Sequence, residues 1–276
     1  MRLRAILTDL DGTLLEPDGT VVPDARAALR ELTVVGIPVY AVTSKTASEL
    51  APIMARLGLA TPAGIENGAG VRHGDGRVEL LATAVPLEAL ESALDALRRH
   101  TGVPARSLME LSDAELAALT GLEASALPAA RTRAATLPLV VEPSWDFRLL
   151  AALPARPRLR LIRGNRFLHL QGDHSKADVA RRLLDVAGPR VGSVVACGDA
   201  PNDAELLAAA DVAVIVPGAD GANRELAERL PAARVAPAPH GAGWAAVMRE
   251  LLASHRLEGT EAGATGGPPE SGRLRA

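Results

Sequence analysis

Aromatic residues make up 2% of this 276-residue chain, with two Trp, two Phe and one Tyr. Stacking platforms for nucleic-acid bases and aromatic shelves for sugars are therefore scarce. A single cysteine excludes an internal disulfide and a Cys-based zinc site. Lysine is nearly absent: Lys45 and Lys176 are the whole complement, and every other cation is Arg. Positive charge is not in excess, since 30 Lys+Arg against 33 Asp+Glu leave a net charge of −3. Such a balance offers no platform for phosphate-backbone binding. No apolar run reaches the roughly 18–20 residues of a spanning helix. Asp9 and Asp11 interrupt the apolar stretch that a signal peptide would need. The expectation is a soluble cytoplasmic protein without membrane or nucleic-acid partners. Hydrophobic residues reach 48% and charged residues 23%, which suits a sizeable core and excludes global disorder.

The segment from Arg4 to Thr8 reads as a short buried strand ending in Asp9. Pro23 opens a helix that stops at Gly36, where Pro and Gly sit at their favoured ends. Ile37 to Val42 is a second strand, Ala47 to Leu57 a second helix stopped by Gly58, and Ala63 to Ile65 a third strand. This alternation predicts a parallel sheet with helices on both faces. The rhythm then changes. Leu87, Leu90, Leu94 and Leu97 form a helical stripe, and Ser112 with Glu115 forms a capping box. Ala129 to Thr136 reads as a weak helix before the strand Leu139 to Glu142. Gly164-Asn165 is a hairpin turn between Leu159–Ile162 and Phe167–Leu170. The first rhythm returns with a helix capped by Ser175 and a strand Val194 to Cys197 ending in Gly198-Asp199. The fold expected is α/β: a Rossmann-like parallel-sheet core made of 1–83 and 172–256, an inserted α+β module at 84–171, and a disordered tail at 257–276.

Asp9-Leu10-Asp11-Gly12-Thr13 directly follows the first strand. In a parallel sheet the carboxyl ends of the strands form the ligand crevice, so Asp9 and Asp11 stand at its mouth. Two carboxylates this close repel unless a cation or a shared proton neutralises them. Mg²⁺ suits them, being hard, oxygen-loving and able to keep positions for a substrate phosphate. Cys197, inside an apolar strand, reads as core packing.

Asp-x-Asp-Gly-Thr resembles the first motif of the haloacid dehalogenase superfamily of phosphohydrolases. The later motifs of that family have counterparts here, in order: Thr43 after the second strand, Lys176 at a helix start, and Gly198-Asp199-Ala200-Pro201-Asn202-Asp203 after a later strand. The resemblance covers about 1–256. It implies Asp9 as the nucleophile of an aspartyl-phosphate and Asp11 as the acid for the leaving alcohol, then the base for water. It implies Mg²⁺ held by the carboxylates of Asp9 and Asp199 and the backbone carbonyl of Asp11, with Asn202 and Asp203 orienting that group. Lys176 and the Thr43 hydroxyl would hold phosphoryl oxygens.

The inserted module resembles the type-IIB cap of this superfamily. Thr43-Ser44-Lys45-Thr46, Glu66-Asn67-Gly68-Ala69 and Gly164-Asn165-Arg166-Phe167 together resemble the mannosyl-3-phosphoglycerate phosphatases, whose hairpin usually has a second Gly where Asn165 stands here. That resemblance implies release of mannosylglycerate, a compatible solute, from a small glycosyl phosphate. Ser44, Lys45, Asn67 and Arg166 would touch the substrate, with Glu66 a weaker candidate and His169 structural. The competing readings are a phosphatase of glucosyl-3-phosphoglycerate or sucrose phosphate, a phosphomutase, and a non-catalytic sugar-phosphate sensor. A sensor need not retain nucleophile and acid together.

Overall fold

The structure is a computed structural model, and it describes residues 1–188 and 191–264. The first strand, β1 (Leu3–Thr8), is followed by α1 (Pro23–Val34), β2 (Val39–Ala41) and α2 (Ala47–Leu57). Pro23 opens α1, and Thr46 caps α2 in a reciprocal box with Glu49, its hydroxyl accepting from the Glu49 amide at 3.1 Å. The third expected strand is present as β3 (Ala63–Ile65), but it joins the parallel sheet through a single bridge between Val42 and Gly64. Its ladder is antiparallel, with β4 (Gly70–Arg72) and then β5 (Val78–Leu80).

The next stretch supplies α3 (Leu87–Thr101), β6 (Arg106–Ser107), α4 (Asp113–Thr120), α5 (Leu127–Arg131), β7 (Thr136–Val140), α6 (Asp146–Ala151), β8 (Leu159–Arg163) and β9 (Leu168–Gly172). These strands form a four-stranded antiparallel sheet in the order β6-β7-β9-β8. Leu90, Leu94 and Leu97 of α3 pack on Leu137, Leu139 and Leu170 of that sheet. Each such leucine, fully buried, contributes about 1.5–3 kcal/mol. The helix expected over Ala129 to Thr136 is corrected here: α5 ends at Arg131 and β7 begins at Thr136. The Glu66 carboxylate takes the Ala134 and Ala135 amides, at 2.8 and 3.1 Å, so helical turns lose those donors.

The chain then returns with α7 (Lys176–Val186), β10 (Ser193–Gly198), α8 (Ala204–Ala208), β11 (Val212–Ile215), α9 (Arg224–Arg229), β12 (Arg234–Val235) and α10 (His240–Ala264). The parallel sheet runs in the order β12-β11-β10-β1-β2. One apolar cluster joins Ile6, Val195 and Trp244 on its first face, and a second joins Leu7, Val179 and Ala196 on the other. The fold is therefore mixed α/β with a parallel-sheet core. α10 continues past Leu257, the expected start of a disordered tail. Extending a nucleated helix adds one hydrogen bond per residue fixed, so loss of apolar periodicity does not end it. The remainder of that expected tail, 265–276, lies outside the described residues. No helix among the described residues is long and apolar enough to cross a membrane.

Candidate active site

β1 and β10 are neighbours at the centre of the sheet, so residues leaving their carboxyl ends meet. Asp9 continues the ladder by one bond, its amide donating to the Cys197 carbonyl at 2.9 Å. Gly12 follows with φ +83°, and a Cβ there would lie 2.4 Å from Asp199 Oδ2. Only glycine fits that approach. Thr13 then donates its hydroxyl to Asp199 Oδ1 at 2.9 Å, so the first motif holds the acid of the last. Sequence reasoning assigns Thr13 no role, although its place in the motif is an available signal.

Lys176 opens α7 and is 1% exposed. Its Nζ lies 2.6 Å from Asp9 Oδ1 and 2.6 Å from Asp203 Oδ1. The second Asp203 oxygen accepts from the Asp199 and Ala200 amides at 3.0 and 3.1 Å. Asp203 therefore ties the loop after β10 to the lysine. Burial pushes the Asp9 carboxyl well above the usual range; Lys176 opposes this, while Asp203, Asp199 and Asp11 add to it. Burial and Asp203 likewise push Asp199 up to about 6, against hydrogen bonds from Asn165 and Thr13 and the charge of Lys176. The lysine itself is raised, because Asp203 and Asp9 outweigh its burial.

This electrostatic excess is the reason a cation fits. Carboxylate oxygens of Asp9, Asp199 and Asp203 lie within 4.8 Å of one another. They are hard donors of the kind a divalent cation such as Mg²⁺ takes. Asp203 is already committed to Lys176 and two amides, which leaves Asp9 and Asp199 the freer pair. Asp11 stands outside this group, its Oδ2 paired with Lys45 Nζ at 3.0 Å. Burial works against the charge on Lys45, but Asp11 and Glu49 outweigh it and raise its pKa.

A cavity of about 410 Å³ opens over these groups, within the ~300–1,000 Å³ of small-molecule sites. Asp9, Asp11 and Asp199 line it, as do Ser44, Lys45, Asn202 and Arg166 among the residues expected to act. Thr43, Asn67, Lys176 and Asp203 lie behind the wall instead. The Thr43 hydroxyl accepts from the Lys45 amide at 3.2 Å. Asn67 accepts from Asn202 at 3.1 Å, and the Asn67 Nδ2 and Asn202 Oδ1 atoms remain unpaired. Glu66, considered for substrate, instead binds the start of β7, including the Thr136 hydroxyl at 2.8 Å. His169 is buried, and burial with Arg133, Lys176 and Arg163 nearby lowers its pKa to about 3.

Two cavity residues have no clear signature in the sequence. The Arg133 side chain is 4% exposed, and its Nη2 donates to the Ser44 carbonyl at 2.6 Å, tying the segment before β7 to the loop after β2. In an Arg-rich chain nothing marks it out. Asn165 reads as a turn residue, yet its Nδ2 donates to Asp199 Oδ2 at 2.6 Å.

The family model for haloacid dehalogenase-like hydrolases matches residues 6–114. Over that stretch the chain is similar to the haloacid dehalogenase-like hydrolases. It is an enzyme of the phosphoric monoester hydrolase kind. Relatives of this hydrolase include a glucosyl-3-phosphoglycerate/mannosyl-3-phosphoglycerate phosphatase of Persephonella marina, 26% identical over 255 residues, covering 87% of this chain and 93% of the relative. A protein of the same name from Methanococcoides burtonii is 28% identical over 240 residues, covering 78% and 85%. A solved HAD subclass IIB sugar phosphatase superposes with a TM-score of 0.69 at 17% identity, covering 90% of this chain and 98% of that one. That likeness carries the fold.

Proposed function

We propose that this hydrolase removes phosphate from mannosyl-3-phosphoglycerate, using Mg²⁺ and a covalent aspartyl-phosphate. Residues 84–171 form, in this reading, a cap over a core made of 1–83 and 172–256. The observation that carries the proposal is one cavity holding two kinds of group. Its floor has Asp9 and Asp199, with Lys176 paired to Asp9 from behind, suited to a phosphoryl group. Its walls carry Lys45, Arg133 and Arg166, suited to a second anion on the same substrate. A simple hexose phosphate has no such second anion; a phosphoglycerate has a carboxylate. The names of both curated relatives support the same substrate class and make the glucosyl compound a second candidate.

In the first step an Asp9 carboxylate oxygen attacks phosphorus, and the bond to the ester oxygen breaks. Asp11 gives its proton to the departing alcohol. In the second step Asp11 takes a proton from water, which attacks the aspartyl-phosphate and frees inorganic phosphate. Lys176 balances charge on Asp9 and the phosphoryl oxygens, and Lys45 holds Asp11 at the rim. Mg²⁺, held by Asp9 and Asp199, would supply further charge to the equatorial oxygens. Asp203 keeps Lys176 and the loop of Asp199 in place.

The test is phosphate release from mannosyl- and glucosyl-3-phosphoglycerate, sucrose phosphate and mannose 6-phosphate, each with Mg²⁺ or with excess EDTA. Release from the glycosyl-3-phosphoglycerates should exceed the others by at least about tenfold, the size of one charge-assisted hydrogen bond at ~1.5–3 kcal/mol. Equal kcat/KM across the panel, or full activity in EDTA, would overturn the reading.

A further inference from the structure

We propose that the sugar of the substrate is received by the core wall opposite Lys45, formed by Glu16, Asp220, Asn223 and His240, and that this wall discriminates between sugars. The inference rests on the glycosyl-3-phosphoglycerate reading and deepens it. In the order β12-β11-β10-β1-β2, Asp9 and Asp199 leave the two strands at the centre. Lys45 leaves the sheet after β2, on one side of them, and the loop 216–223 leaves after β11, on the other. Three strand spacings separate β2 from β11, about 14 Å. Both loops line the same cavity.

The far wall is continuous. His240 donates its amide to the Pro217 carbonyl at 3.1 Å, and its Nδ1 meets the Gly12 carbonyl at 3.0 Å. Gly218 and Gly221 exchange backbone bonds of 3.0 and 3.1 Å, holding Ala219 and Asp220 at the tip of a tight turn. Glu16 Oε1 comes within 3.4 Å of the point where Gly241 would carry a Cβ, beside His240. This wall thus joins the first motif, the turn after β11 and the start of α10.

Its chemistry differs from that of the Lys45 side. A carbonyl has no proton, so Nδ1 of His240 donates to Gly12, and Nε2 is the ring nitrogen left for a ligand. Glu16 and Asp220 are acceptors. Asn223 uses its Oδ1 on the Leu226 amide at 3.0 Å, so its NH₂ group remains for donation. Two carboxylates with an amide donor and no Lys or Arg suit hydroxyl groups better than anions. On the other side, Arg133 is tied to the carbonyl of Ser44, next to Lys45. In a glycosyl-3-phosphoglycerate the carboxylate and the sugar oxygen branch from one carbon, one bond from the carbon bearing the phosphate. With phosphate over Asp9, the two arms diverge, carboxylate toward Lys45 and sugar toward Asp220.

The test compares mannosyl-3-phosphoglycerate with 3-phosphoglycerate, which keeps both anions and lacks the sugar. Purified wild type, Asp220→Ala and Glu16→Ala/Asp220→Ala are assayed with matched Mg²⁺, and melting temperatures check folding. In the double variant the ratio of kcat/KM for the glycosyl substrate over 3-phosphoglycerate should fall at least tenfold, mainly through KM. Asp220→Ala, altering an exposed turn, should lower it at least threefold and change the mannosyl-to-glucosyl preference. Wild-type turnover of the glycosyl substrate with a ratio unmoved in both variants would overturn this wall alone. A parallel fall for both substrates would do the same. No wild-type turnover of either glycosyl-3-phosphoglycerate would overturn the parent reading and this inference together.

Discussion

Asn165 reaches from the hairpin after β8 to Asp199 at the end of β10, an amide-to-carboxylate bond of 2.6 Å. The same carboxylate is one of the two freer oxygen donors for a cation. A cation bound there would compete with the amide for one oxygen, and the bond ties the hairpin after β8 to the end of β10. Replacing Asn165 by Gly, the residue usual in the family it resembles, should strengthen Mg²⁺ binding by roughly 2- to 10-fold. That is the net worth of an ordinary hydrogen bond, about 0.5–1.5 kcal/mol. Calorimetric titration of Mg²⁺ into metal-free wild type and Asn165→Gly reads this directly. Weaker binding in the variant would mean that Asn165 helps to hold the cation instead.

Lys176 and Asp9 should separate stability from chemistry. Asp9→Asn leaves Lys176 paired with Asp203 and removes charge from a crowded site. Turnover should fall at least about 1,000-fold, as loss of a nucleophile does, with stability within about 1 kcal/mol of wild type. Lys176→Met strips the buried counter-charge from both carboxylates. Breaking a buried pair this way costs about 3–5 kcal/mol, and Mg²⁺ should restore part of it by supplying charge. Urea unfolding with and without Mg²⁺ measures both effects. Mass spectrometry must exclude deamidation of the introduced amide back to the native carboxylate. Near-native phosphate release by verified Asp9→Asn protein would sink the covalent mechanism.

The order of the core elements is legible in the sequence because each carries its own local signal. Pro23 starts α1, Thr46 caps α2, and Asp9 and Asp199 follow apolar strands whose pairing brings them together. The 129–136 segment departs from its local pattern because its conformation is set by Glu66, some 70 residues earlier. Arg133 and Asn165 are hidden for the same reason: their partners, Ser44 and Asp199, lie across the interface between layers. Motif residues announce themselves by spacing, whereas residues that join the layers depend on docking geometry that local patterns do not encode.

Glu66 should be a structural tie between the loop after β3 and the start of β7. Its backbone sits at φ +47°, a strained conformation for a non-glycine residue. Its carboxylate accepts from Ala134, Ala135 and the Thr136 hydroxyl. Glu66→Ala strands these donors at a buried position, which costs roughly 1–3 kcal/mol for each one left unsatisfied. The expected net loss is about 3–5 kcal/mol, less any gain from water entering the space. Glu66→Gln keeps the shape but offers one acceptor oxygen, and should lose about half as much. Hydrogen exchange of the Ala134 and Ala135 amides should quicken in both variants. Unchanged exchange would show that β7 is held by its own ladder alone.

His169 gives the fold a pH dependence whose sign is fixed by its burial. The ring titrates near 6.5 when unfolded and near 3 in the folded protein, first because it is buried and then because Arg133, Lys176 and Arg163 repel its charge. Between those values the unfolded chain binds the extra proton, so stability falls as pH falls. The slope approaches about 1.4 kcal/mol per pH unit, or about 2 kcal/mol between pH 7 and pH 5. Asp199 acts in the opposite sense in metal-free protein. Its raised value, about 6, gives stability that is present at low pH and lost as pH rises through that value. The whole-protein profile mixes the two, so the informative quantity is the difference from a variant that keeps Asp199. His169→Leu does so, replacing the ring by an apolar side chain in a mostly apolar strand. Urea unfolding of both proteins in EDTA should show the variant gaining on wild type by about 2 kcal/mol as pH drops from 7 to 5. A constant difference across that range would mean that the ring takes up its proton in the folded state, through local opening of the β7–β9 ladder.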